Sequence, residues 1–143
     1  MHQHVNPLNN GTFVNKILEK IYHPTAGIYI LRWSVALLML LHGIAKLQNG
    51  IDGIQGRITS LGLPGFLGYG VLIGEVLAPL FVLSGFLVGP AALVIAFNMV
   101  VAIFLVHSGE LFSLGRSGGW ALELQGLYLL GAVAIALTAK PKN

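Results

Sequence analysis

The sequence predicts an all-α integral membrane protein: a four-helix bundle preceded by a short amphipathic helix lying in the membrane interface. Three observations predict it. Charged residues make up only 9% of the 143 residues, while Ala, Val, Ile, Leu, Met, Phe, Trp, Tyr and Cys make up 55%. A soluble domain carries about 25% charged residues, so this chain cannot clothe a water-facing surface, and the same shortage of charge excludes disorder. The apolar residues gather into four long runs, each near the roughly 20 residues needed to cross a hydrocarbon core, and Gly- and Ser-rich stretches separate them.

Composition excludes further classes. The formal net charge of +3 arises from eight Lys/Arg against five Asp/Glu, with no basic run to follow a phosphate backbone, so nucleic acid is not an expected partner. Cysteine is absent. That removes disulfide frameworks, CxxC redox pairs, thiolate metal sites and clusters held by the chain's own thiolates. Redox chemistry here needs a bound quinone, haem or flavin, or a partner subunit, and no metal site is expected.

Taken in order, residues 1–27 form a polar tail and the interfacial helix, and residues 28–143 form one four-helix membrane domain. Residues 1–10 are polar, contain Pro7 and lack the apolar core of a signal peptide. Over residues 12–22, Phe13, Val14, Ile17, Leu18 and Ile21 recur at helical spacing, with Lys16, Glu19 and Lys20 on the other face. That pattern suits the headgroup region. Spans are expected over about 28–47, 66–86, 88–107 and 120–139. Gly85, Gly89 and Pro90 leave so little chain between the second and third spans that the two must form a tight antiparallel hairpin. Lys16, Lys20, Arg32, Lys140 and Lys142 fall on the side of the termini, against Lys46, Arg57 and Arg116 on the other. The excess places both termini in the cytoplasm, and the loops 48–65 and 108–119 outside as flexible connections.

Polar residues inside the runs are the informative ones, because a carboxylate at the centre of a spanning helix costs about 2.5–3.5 kcal/mol on insertion scales. Glu75 and Asn98 sit near the middles of the second and third spans, at similar depth. His42 and Lys46 share one helical face near the outer end of the first span. His107 closes the third span at that end, and Glu123 begins the fourth. The other half of the bilayer holds one charge, Arg32, which snorkels to the headgroups. The asymmetry predicts a pocket open to the outer side, with Glu75 and His42 as reactive groups and Lys46, Asn98, His107 and Glu123 as ligand-binding groups. Each has a duller alternative. Glu75 also reads as a structural partner for Lys46 or as a carboxyl protonated in lipid, Lys46 as an interfacial anchor, His42 as a hydrogen-bonded bundle histidine and Asn98 as interhelical glue. His107 and Glu123 lie close enough to the interface to be solvated there. Gly70 and Gly74 form a GxxxG pair, and Pro79 frees the carbonyl of Glu75, predicting a kink beside the buried charge.

Over residues 31–139 the chain resembles the DoxX family of small four-helix membrane proteins. The likeness rests on Arg32 opening the first span and on His42 and Gly43 followed by Lys46 at its end. It continues through Leu61, Gly62, Leu63 and Pro64 in the first loop, Gly74 and Glu75 in the second span, and Gly85 closing it. Ala91, Ala92, Met99 and Glu123 complete it. Val88, Gly89 and Pro90 stand where many members have a basic residue after that closing Gly. The family is named for a subunit of a thiosulfate:quinone oxidoreductase. The resemblance implies a bacterial-type inner membrane and a redox-associated subunit, not catalytically self-sufficient, that binds a quinone and works with a partner subunit or as a homo-oligomer. His42 and His107 as axial ligands of one haem b are the less favoured cofactor reading. Two other classes stay open: a structural or assembly subunit of a larger complex, and a proton-linked small-molecule transporter or lipid-binding protein built around Glu75.

Overall fold

The computed structural model describes residues 11–140; the expected polar tail 1–10 and Lys142 lie outside that range. Helices run over α1 Gly11–Ile21, α2 Pro24–Asn49, α3 Asp52–Ser60, α4 Gly65–Ser84, α5 Val88–Val106 and α6 Glu123–Thr138. Among the described residues there is no β-strand, only an isolated bridge between Leu114 and Trp120. The chain is an all-α membrane bundle.

Helices α2, α4 and α5 are long and apolar enough to cross a bilayer, while α6 is a shorter apolar helix. At 1.5 Å per residue, the 26 residues of α2 reach about 39 Å and the 16 of α6 about 24 Å. The start of α6 falls at Glu123, later than the expected boundary at Trp120. Gly118, at φ 82°, and a hydrogen bond from Gly115 N–H to the Gly119 carbonyl turn the chain ahead of it. The Trp120 indole donates to the Leu111 carbonyl at 2.8 Å and folds over Gly126, where a Cβ would strike the ring. Trp120 therefore closes the loop instead of starting the helix.

The four bundle helices pack in a ring, α2 against α4, α4 against α5, α5 against α6, and α6 back against α2. Small residues set the spacing. A Cβ on Gly74 would overlap Asn98, one on Gly43 would overlap the Glu75 carbonyl, and one on Gly131 would meet Val35 at 2.9 Å. Close backbone approach of this kind holds helices together in lipid, where apolar burial gives little net drive. The α4–α5 turn is tight: Gly85 ends α4 in the left-handed region at φ 79°, the usual glycine-favouring stop. The Arg32 guanidinium reaches this turn, where it approaches Gly85 and lies 5.2 Å from the Tyr29 ring.

The loop expected to be flexible between α2 and α4 instead carries α3. Its Gly and Ser content argued for a coil, but Ile51 and Ile58 are buried on one face. Asp52 in the first turn and Arg57 in the last complement the helix dipole. The Gln55 side chain lies against Gly68, so α3 is held by α4 and by α5. At the opposite end of the chain's polarity, α1 keeps Phe13, Leu18 and Ile21 exposed along one side.

Candidate functional site

The second spanning helix is not regular. Ile73–Leu77 forms a π-turn, closed by a hydrogen bond from the Ala78 N–H to the Ile73 carbonyl. Pro79 has no N–H to return to the Glu75 carbonyl, so the ordinary α-type bond is lost at that residue. Where Pro79 alone predicted a kink, the helix widens by a π-turn centred on Glu75, a distortion common at functional sites. Gly43 lets α2 close on the freed carbonyl, and Gly74 lets α5 close on the next turn.

Glu75 is 4% exposed and is the buried charged residue of the described core. Lys46 Nζ donates to its Oε2 at 2.5 Å, and Asn98 Nδ2 donates to its Oε1 at 3.5 Å, the long limit for such a bond. Three helices thus converge on one carboxylate. Beside it opens a cavity of about 550 Å³. Its polar wall consists of His42, Lys46, Glu75, Asn98, His107, Gln125 and Tyr128; the remaining lining is glycine and hydrocarbon, with Met39, Ile54, Ile58 and Leu105 among it.

His42 stands edge-on to the Tyr128 ring, with centroids 5.7 Å apart at 87°. His107 lies between two partners: Nδ1 is 2.8 Å from Glu110 Oε2, and Nε2 is 3.3 Å from Gln125 Nε2. With Gln125 donating to Nε2, Nδ1 carries the hydrogen that Glu110 accepts. Both ring nitrogens are then engaged. The Gln125 Oε1 is left buried without a partner. Buried acceptors are nearly always satisfied, so this one marks a place for a donor that the protein does not supply.

Of the six residues singled out from sequence, the structure brings Glu75, Lys46 and Asn98 into contact and puts His42 and His107 on the same cavity wall. Glu123 is exposed, its carboxylate turned against Gly119, and does not line the cavity. Gln125 and Tyr128 take that position on α6. Sequence reasoning passed over both, although they share a helical face with the buried Ala132 and Ile135.

The arrangement offers N–H donors around a buried carboxylate in a hydrocarbon-walled space. Among the described residues, no serine, threonine or cysteine lines the cavity, and the hydroxyl on its wall is the Tyr128 phenol. Among the described residues, no three His, Cys, Asp or Glu side chains gather as they would around a metal ion.

A bundle of membrane-spanning helices around a cavity with a polar end defines the class: a small multi-pass membrane protein with an internal cavity. The DoxX family model matches residues 27–108, more than half of the chain, and the chain belongs to that family. The matched stretch contains Lys46, Glu75 and Asn98 and stops before α6, short of the residues 31–139 that carry the resemblance. No match is found among curated proteins or among solved structures.

Proposed function

We propose that this chain is a redox-associated membrane subunit that binds a quinone-like lipophilic carbonyl compound in the cavity beside Glu75. The observation that carries the reading is the Lys46–Glu75–Asn98 cluster set into the wall of an otherwise apolar space of about 550 Å³. Small-molecule sites are commonly about 300–1,000 Å³, mainly apolar, with a few convergent polar groups. The donor set fits the ligand's chemistry. Lys46 Nζ and the Asn98 amide donate to a ring carbonyl, and Gln125 Oε1 accepts from the hydroxyl of the reduced form. Glu75 is placed to hold a proton at Oε1, the oxygen not occupied by Lys46, and His42 and His107 border the same space.

Such a ligand would supply the redox chemistry, accepting electrons and protons in equal number. This chain's residues bind it, orient it and handle the protons; a partner subunit supplies the electrons. The cavity then opens toward the outer side of a bacterial-type inner membrane, with both termini in the cytoplasm, as the Lys/Arg distribution favours.

The test is extraction and mass spectrometry of small molecules from detergent-purified wild type and Glu75→Gln. A quinone in near-stoichiometric amount in the wild type, lost from the variant, is the expected result. Phospholipid alone in both samples would overturn the reading.

A further inference from the structure

The cavity's polar end is roofed. Helix α3 packs on the first turns of α4 and on α5, and its Ile54 and Ile58 line the cavity from above. Helix packing is missing to the side, where several lining residues are exposed. Helix α5 packs against Ile73–Leu77 and Ala78–Ser84 of α4, but no comparable packing joins it to Gly65–Leu72. Below, the helices meet where Gly74 abuts Asn98; above that contact they part. The resulting window has Gly70 and Ile73 on one rim and Phe97 and Val101 on the other. Ile73, Phe97 and Val101 are 53%, 69% and 39% exposed, so the rims face the hydrocarbon. No charged side chain lies on either rim. A Cβ at Gly70 would meet nothing within 4 Å.

We propose that this window is a lateral port, through which a membrane-dissolved amphiphile loads from the bilayer and in which its isoprenoid or alkyl chain rests once the head reaches Lys46 and Glu75. The proposal rests on the reading of that cluster as a head-binding site and adds the route and the chain. Three features argue for this occupant: the slot is continuous with the polar cluster, its rims are hydrocarbon, and the alternative mouth is covered by α3. The physics also fits a port better than a grip. A chain moving from lipid into an apolar slot gains little, since lipid is as apolar as the slot. Affinity therefore resides in the head, and the slot spares the head a passage through water.

The experiment uses full-length protein in phosphatidylcholine nanodiscs and a benzoquinone carrying a decyl chain with a diazirine at its end. Photolysis and peptide mass spectrometry then locate the chain. Adducts on Ile73, Phe97 and Val101 are expected, lost in Gly70→Phe and retained in Gly27→Phe, where a new side chain also meets open space but far from the port. Gly70 has helical backbone angles and open space at its Cβ position, and a wild-type-like Tm checks that Gly70→Phe folds. Glu75-dependent adducts elsewhere on the bundle overturn the port and leave the head site standing. Rim adducts unchanged in Glu75→Gln support the opening but overturn the quinone head. The chain has no cysteine, so Phe97→Cys is its single thiol. Disulfide dimers through that thiol that exclude the probe would show a second copy in the slot and overturn the proposal.

Discussion

The two halves of the bundle are built from the same helices and differ in almost everything else. In the half toward the α4–α5 turn, Ala36, Val82, Ala92, Ile95 and Ala132 have no exposed surface. One apolar cluster there joins all four bundle helices. In the half toward Lys46, the same helices separate around a cavity of about 550 Å³, and Glu75, the buried charged residue among those described, sits on its wall. The break falls at Met39, Met99 and Tyr128, which belong to the core and also line the cavity. The lesson is a division of labour along each helix. Alanines give close packing in one half, and that rigid half holds the π-turn and the ion pair of the other in place.

The largest effect is expected where the open half departs furthest from the closed one. Lys46→Met leaves the Glu75 carboxylate buried without its cation, which destabilises a protein by about 3–5 kcal/mol. Thermal unfolding in mild detergent should show a large fall in Tm for this variant. The double variant Lys46→Met/Glu75→Gln should recover most of that loss, because no uncompensated charge remains. If the double variant were as unstable as the single, the penalty would come from lost packing of the Lys46 stem and not from its charge.

An insertion of bulk sharpens the comparison. Ala92→Leu forces extra methylenes into a site with no free volume and should cost about 1–3 kcal/mol. Ala102→Leu places the same atoms against the cavity and should change stability by no more than about 0.5 kcal/mol. The ligand recovered in the extraction experiment should instead fall in Ala102→Leu and persist in Ala92→Leu. Equal destabilisation by the two substitutions would mean that the two halves do not differ in packing.

Much of this division was legible in the sequence. The length and hydropathy of the runs at α2, α4 and α5 follow from what a bilayer requires. Glu75 stood out because a carboxylate is costly in an apolar run. The spacing of His42 and Lys46 put them on one face without any tertiary information. The α3 helix was not legible, since its Gly-containing segment is held by burial of Ile51 and Ile58, a tertiary effect that overrides local propensity. Nor was the identity of the α6 wall. Rotation of a helix is fixed by its start and its neighbours, and the Trp120 indole, closing the loop, moved that start to Glu123. Gln125 and Tyr128 consequently face the cavity, and Glu123 does not. Pro79 announced a break in the helix but not its form, because a kink and a π-turn answer the same missing N–H.

The smallest expected effect compares a glycine of α4 at the port with the glycine that caps α4 at the turn. Gly70 has helical backbone angles, with φ −56° and ψ −28°, and open space around it. An alanine there removes the entropic cost of a glycine in a helix, so Gly70→Ala should raise stability by about 0.5–1 kcal/mol. Gly85 sits at φ 79°, where a Cβ is strained, and the Arg32 Nη2 lies 3.2 Å from where that Cβ would be. Gly85→Ala should therefore lower stability by about 1–2 kcal/mol. Opposite signs in the two Tm shifts are the expected outcome. A loss at Gly70 of the size seen at Gly85 would mean that the port rim is packed against something in the folded state, and the contrast between an open and a closed half would fail at its most exposed point.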